Sequence, residues 1–235
     1  VVAAERSGVG VALKASKVGG YILGNKCCGV ALLALELRGC LVLYARSRYE
    51  VDPIIFKEEC MEIEATGVPV RERVVISKKA HLILPTHRII DAASEAAKGK
   101  SKIGSTLKGI GPTYMDKTGR AGLRVGDVLA ADFAERFLTL KNKHISYLAQ
   151  YDYEYNAEER ESEWMEAIEY LKTFKLVDGE YVANKFLTDN KKILAEGAQG
   201  TMLDVDFGSY PFVTSSSTTC AGVCTGLGIA PTKIG

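Results

Sequence analysis

The segment 192–217, KILAEGAQGTMLDVDFGSYPFVTSSS, gathers small polar groups beside an apolar run more densely than any other part of the chain. Ile193 to Ala195 reads as a strand that feeds a glycine turn. Gly197 and Gly200 let the backbone approach a ligand closely, and Gln199 between them offers both a donor and an acceptor. Thr214, Ser215, Ser216 and Ser217 follow as a row of hydroxyls. Together they point to a polar ligand site. A second stretch, KIGSTLKGIGPTY over 102–114, carries three glycines with Ser105, Thr106 and Lys108. Such a loop can present amides, hydroxyls and a cation to an anion, and the same composition also suits a tight structural loop. Arg120 and Arg124 come next. Arginine is a natural bidentate partner for phosphate, although either residue also has Asp116 or Asp127 in reach as an ion-pair partner.

Other chemistry-bearing residues read more plainly. His81 and His87 flank a strand–helix junction and are expected as packed or surface groups rather than catalysts. Cys27 and Cys28 are adjacent, and Cys220 and Cys224 have no histidine nearby, so no zinc-ligand spacing is present. Six cysteines in 235 residues fit reduced structural thiols rather than a disulfide scaffold.

The elements that must hold these residues follow from pattern. Asp52 caps a helix whose first turn contains Pro53, with Phe56, Met61 and Ile63 as its apolar positions and Thr66-Gly67 at its end. Val74 to Ile76 and Ala80 to Leu84 read as strands. Thr86 is expected to cap a helix with Ile89, Ile90, Ala93 and Ala97 on one face. Asp127 to Gln150 reads as one long helix with Phe133, Phe137, Leu138 and Leu140 as core rather than cofactor contacts. Residues 156–174, with Trp164, Ile168, Tyr170 and Leu171, form a second, and a third begins at Asp178 with Val182, Phe186 and Leu187 inward. Residues 1–50 give apolar runs without clear caps or turns, and Ser7-Gly8-Val9-Gly10 matches no nucleotide fingerprint.

Composition bounds the class. Hydrophobic content of 47% and charged content of 25% are ordinary globular values, enough to build a core without staples. A net charge of +1 gives no general attraction to nucleic acid or to an anionic membrane. No charge-free apolar run is long enough to span a bilayer, because Glu36 and Arg38 break the stretch 29–43. The first fifty residues differ from the rest: seven Lys/Arg stand against three Glu, and three of the six cysteines lie there.

Taken together, VDPIIFKEE, ISKKAHLILPTHR, KIGSTLKGIGPTYMDK, GRAGLRVGD, EGAQGTMLDVDFGSYPFVTSSSTT and GVCTGLGIAP resemble the adenylosuccinate synthetases, with the likeness running from about residue 51 to 235. The resemblance implies an α/β fold with a central mixed, mostly parallel sheet, flanking helices and a helical insertion at about 127–190, incomplete at both ends and poorly soluble through unpaired strands. Residues 1–50 stay outside it as an unassigned divergent segment. It implies a cytoplasmic homodimeric ligase that joins IMP and L-aspartate with GTP as co-substrate and Mg²⁺ as cofactor, in AMP biosynthesis. By resemblance, Thr106 and Thr214 would contact the IMP phosphate, Gln199 would hold the 6-oxygen region of the base as the catalytic group, and Arg120 would reach the partner's IMP. No metal ligand is assigned, since the family's glycine-rich loop with its general-base aspartate and the GPNAGHT-like stretch do not occur in residues 1–50. The NKxD-like guanine reader, the aspartate-binding loop and another IMP-contacting arginine are likewise not found. The chain as written is therefore expected to be inactive. Its alternative roles are a non-catalytic purine-nucleotide binder or a structural fragment of a faulty gene model. Leu107 stands where the family has glycine, and Ser217 where it has asparagine. A leucine crowds that loop if its backbone needs a positive φ.

Overall fold

The structure is a computed structural model that describes residues 9–12, 31–34, 42–44, 50–197 and 199–235. The glycine cluster at residues 7–10 falls mostly outside the described residues. In chain order the elements are β1 (Val9–Ala12), β2 (Ala31–Ala34), β3 (Val42–Tyr44), β4 (Glu50–Val51), α1 (Pro53–Glu64), α2 (Val70–Arg73), β5 (Val74–Ser77), β6 (His81–Leu82), α3 (Pro85–Ala97), α4 (Ile110–Thr118), α5 (Phe133–Leu148), α6 (Glu161–Leu171), β7 (Lys175–Val177), α7 (Gly179–Thr188), β8 (Ile193–Glu196) and α8 (Ala221–Leu227). Short 3₁₀ turns join several of them. Among the described residues no helix is long and apolar enough to cross a membrane.

One sheet has the order β1-β8-β2-β3-β5-β7, and β4 pairs with β6 apart from it. The pairs β1·β8, β3·β5, β5·β7 and β4·β6 are parallel, whereas β2 runs antiparallel to both β3 and β8. The α/β class with parallel pairing holds. The expected central sheet does not dominate, because its strands are only three or four residues long. Strands that short bury few side chains, so the main core is built by helices instead. Trp164 of α6 is its centre, stacked on Phe133 and Phe137 of α5 with ring centroids 6.3 and 5.1 Å away. Its indole Nε1 donates to the Ile83 carbonyl at 2.7 Å, which satisfies a buried polar group and ties α6 to the strand of β6. The two phenylalanines are core, as their spacing suggests, but Leu138 is half exposed because it falls off that stripe. Met61 of α1 is exposed for the same reason.

Helix starts show how local chemistry sets position. Asp52 accepts from the Ile54 and Ile55 amides at 3.1 and 3.4 Å, with Pro53 in the first turn of α1. At α3 the expected cap moves. The N-cap is Leu84, Pro85 opens the helix, and Thr86 already lies within its first turn. His87 does the capping: its Nδ1 accepts the Leu84 N–H at 2.9 Å. Thr86 is then released to bond His144 of α5. The predicted helix over 127–150 is also divided, with a 3₁₀ turn at Val125–Leu129 preceding α5. Between α6 and α7, β7 brings the chain back to pair with β5, and β8 pairs with β1 and β2 before the polar segment begins.

Candidate functional site

The loop between α3 and α4 is fastened from behind. Asp91 and Glu95 sit one turn apart on α3 and are both buried. Asp91 Oδ1 accepts from the Ser105 hydroxyl at 2.6 Å and its Oδ2 from the Gly109 amide at 2.9 Å. Glu95 Oε1 accepts from the Gly104 and Ser105 amides at 2.6 and 3.3 Å, and its Oε2 from Lys98 at 2.8 Å. Lys98 and the Gly104 amide hold the Glu95 carboxyl down to about 2. Of the two readings open for this loop, an anion cradle or a tight structural loop, these bonds fit the second for three of its amides. The amides of Gly104, Ser105 and Gly109 point at protein carboxylates, so they are not available to a ligand anion. Thr106 is exposed, as are Ile103 and Leu107 on either side of it. Gly109 has φ +78°, and a Cβ there would meet the His87 and Arg88 backbone at 3.0 Å. Only glycine lets the loop re-enter α4 so close to the start of α3.

Leu107 lies at the loop tip with φ 55°, a left-handed conformation that a leucine adopts at a cost of about 1–2 kcal/mol. Its side chain is 45% exposed, so little packing offsets that strain. Leu107→Gly is therefore expected to raise stability by about 0.5–1 kcal/mol, read as a higher urea midpoint. A lower midpoint would mean that the loop does not need the left-handed turn.

The polar segment after β8 folds around one carboxylate. Asp204 is fully buried and accepts four amides: Asp206 and Phe207 on Oδ1 at 3.0 and 3.1 Å, Thr218 and Thr219 on Oδ2 at 2.6 and 3.2 Å. Burial pushes this carboxyl up, but the N–H donors and the Ser217 hydroxyl outweigh burial and hold it well below the usual range. Ser217 thus keeps a donor where the family has asparagine. The Thr214 amide donates to the Leu203 carbonyl at 2.9 Å, and Thr218 Oγ1 donates to the Gly200 carbonyl at 2.8 Å. Gly208 packs against the Asp204 and Met202 carbonyls, where any Cβ would come within 2.5 Å. Thr214 and Ser215 form one wall of an open groove of about 620 Å³, and Gly111, Tyr114, Met115, Thr118 and Gly119 form the other. Met202, Phe207, Tyr210 and Phe212 stand exposed around this segment.

The four residues singled out by sequence are placed as follows. Thr106 precedes α4, and Arg120 follows it, exposed, with φ 62°. Thr214 is half buried on the groove. Gln199 is exposed in the turn after β8 with φ 69°. Thr214 and Gln199 lie in the segment after β8, while Thr106 lies in the loop before α4 and Arg120 just after that nine-residue helix. Neither arginine pairs with the aspartates offered as alternatives. Asp127 accepts from the Arg124 amide and from Arg136, and Asp116 accepts from His87, His144 and Lys143.

The Asp116, His87 and His144 members of that last set are buried, and sequence reasoning did not find them as a cluster. His87 Nε2 and His144 Nε2 lie 2.9 and 2.7 Å from Asp116 Oδ2, with Lys143 Nζ 2.7 Å from Oδ1 and Thr86 Oγ1 2.6 Å from His144 Nδ1. These three are the His/Cys/Asp/Glu trio among the described residues close enough to share a metal ion. The hydrogen bonds argue against one. Because His87 Nδ1 receives the Leu84 N–H, the ring proton must sit on Nε2, which then donates to Asp116. A metal-ligating histidine needs the reverse, a bare Nε2 and a donating Nδ1. Mg²⁺ is a still poorer match, since it wants oxygen ligands. Burial pushes His87 down to about 4, against the pull of Asp116. The cluster is a structural network that joins α3, α4 and α5.

Comparison with known proteins gives a consistent picture. The chain matches the family model described as adenylosuccinate synthetase over residues 41–235, ten residues earlier than the motifs alone suggest. It is 60% identical over 185 residues to an adenylosuccinate synthetase of Bacteroides thetaiotaomicron and 61% identical over 185 residues to that of Phocaeicola vulgatus, covering 79% of this chain and 44% of each relative. The chain thus spans less than half the length of these curated relatives. Among solved structures it is similar to fully ligated adenylosuccinate synthetase from Plasmodium falciparum, with TM-score 0.70, 29% identity, and coverage of 98% of this chain and 55% of that one.

Proposed function

Because the chain belongs to the adenylosuccinate synthetase family, we propose that it carries the purine-monophosphate part of a GTP-dependent ligase for IMP and L-aspartate. In that reaction the γ-phosphoryl of GTP passes to O6 of IMP, turning a poor leaving group into a good one. The aspartate amine then forms the new C6–N bond as phosphate departs. Thr106 and Thr214 hold the IMP phosphate through their hydroxyls, and Gln199 holds the 6-oxygen region with its side-chain amide. Arg120 serves the site of a second copy. The observation that carries this reading is that Arg120 is exposed just after α4 and has no ion-pair partner among the described residues. The apolar side chains exposed beside Thr214 suit a face that is covered on association.

Mg²⁺ and GTP belong to the proposal by family. The trio His87, Asp116 and His144, close enough among the described residues to share an ion, offers one carboxylate and two imidazoles and does not suit Mg²⁺. The 235-residue chain is expected to bind IMP without turning it over, since neither of the family's phosphate-handling motifs occurs in residues 1–50. Calorimetric titration with IMP should give a saturable heat that weakens by roughly tenfold in Thr214→Ala, the loss of about one hydrogen bond. Flat heats, or a Thr214→Ala variant that binds as the parent does, would remove the proposed site. Product formation from IMP, GTP and aspartate at enzyme-like rates would overturn the expectation of inactivity.

A further inference from the structure

We infer that Asp91 is the positioning residue of the Thr106 loop and that a carboxylate holds the loop there better than an amide, whereas an amide suffices at Glu95. This deepens the reading of Thr106 as a ligand contact and rests on it. The reason lies in how each oxygen is used. Both Asp91 oxygens accept: Oδ1 takes the Ser105 hydroxyl and Oδ2 the Gly109 amide. The Ser105 oxygen in turn accepts the Leu107 amide at 3.2 Å, so a relay runs from Asp91 through Ser105 to the strained residue after Thr106. The loop is thus pinned on both sides of Thr106, at Ser105 and at Gly109, by one buried side chain.

Glu95 divides its work differently. One oxygen, Oε1, takes both loop amides, and the other faces only Lys98. A glutamine can keep its carbonyl on the two amides and turn its NH₂ toward Lys98, which moves aside into solvent. An asparagine at 91 must reverse one contact: its carbonyl keeps the Gly109 amide only if its NH₂ replaces the oxygen that accepts the Ser105 hydroxyl. If the NH₂ meets the Gly109 amide, two N–H groups face each other in a buried space. If it meets Ser105, the hydroxyl must turn its proton elsewhere while its oxygen takes both that NH₂ and the Leu107 amide, so the charge-assisted 2.6 Å bond from Ser105 to the carboxylate is lost.

The test compares Asp91→Asn with Glu95→Gln in the 235-residue chain, using two readouts. Hydrogen exchange of the Gly104, Ser105, Leu107 and Gly109 amides needs no ligand. It should quicken by roughly tenfold or more in Asp91→Asn, with the β5 amides unchanged, and by much less in Glu95→Gln. IMP affinity should fall by roughly tenfold in Asp91→Asn and by less than about threefold in Glu95→Gln. Thr106→Ala supplies the reference. If Asp91 acts through Thr106, the double variant Asp91→Asn/Thr106→Ala binds no worse than the weaker single one. Equal exchange rates in the two carboxylate variants would overturn the inference, as would additive losses in the double variant. If Thr106→Ala alone leaves IMP binding intact, the ligand reading of Thr106 fails, and the exchange comparison still decides whether Asp91 holds the loop.

Discussion

Replacing Asp116 by alanine is expected to cost about 3–5 kcal/mol of folding stability, the range for leaving buried charge-network partners without their counterpart. Asp116 is 5% exposed and is the acceptor for two imidazole N–H groups from two other helices. Burial alone would push its carboxyl up; the bonds from His144, His87 and Lys143 outweigh that and hold it well below the usual range. Removing it leaves His87 with an N–H that has no acceptor. His87 cannot escape by changing tautomer, because its other nitrogen is committed to the Leu84 amide. His144 can, by donating from Nδ1 to Thr86. Asparagine should therefore be far milder, about 1–2 kcal/mol. It can aim its carbonyl at both imidazoles and its NH₂ at Lys143, whose side chain is 55% exposed and free to leave. The order alanine much worse than asparagine, in urea denaturation, checks this. Equal losses would mean that charge rather than acceptor geometry is what matters, and an alanine variant within about 1 kcal/mol of the parent would dismiss the network as a determinant of stability.

The contrast between these residues and those found by pattern shows what a sequence can carry. Asp52 and Pro53 were legible because a cap acts on its own next few residues. Phe133 and Phe137 were legible because helical spacing places them on one stripe of α5, and Trp164 because it lies on the apolar stripe of α6. The family was legible through contiguous motifs, and the comparisons bear it out over residues 41–235. Asp91, Glu95, Asp116 and Asp204 were not. Each is a polar residue in a locally ordinary place, and its meaning comes from partners 9 to 29 residues away. Asp91 and Glu95 fall off the apolar face of α3, so they read as solvated when they in fact hold the loop. The i, i+4 spacing of two carboxylates just before a glycine loop was the available signal. The dominance of helices over the sheet was also hidden, since short apolar runs look alike whether they form three-residue strands or longer ones.

A titration of stability against pH should show a maximum near pH 6.5, with the alkaline fall abolished in Glu50→Gln. Glu50 and His81 are register partners across β4 and β6, both buried, and each has a side-chain atom without a hydrogen-bond partner. Burial raises the Glu50 carboxyl to about 8, against the opposing pull of Lys117 and the Tyr114 hydroxyl. A carboxyl raised on folding contributes stability that is complete below its unfolded value near 4.5 and is lost as pH climbs through about 8. The histidines act in the opposite sense. Burial lowers both His81 and His87 from 6.5 to about 4, so their contribution is complete above pH 6.5 and is lost as pH falls through about 4. Each group changes stability by at most about 1.4 kcal/mol per pH unit. Between pH 4.5 and 6.5 two histidines outweigh one glutamate and stability rises; from 6.5 to 8, of these three groups only Glu50 still titrates, and stability falls. Glutamine at 50 keeps the shape of the neutral acid and removes the charge that must otherwise be buried. The gain in melting temperature from Glu50→Gln should therefore be small at pH 5 and large at pH 8. A gain that is the same at both values would show that the Glu50 carboxylate finds solvent or a cation in the folded chain, and would assign the orphaned Oε1 to ordinary packing instead.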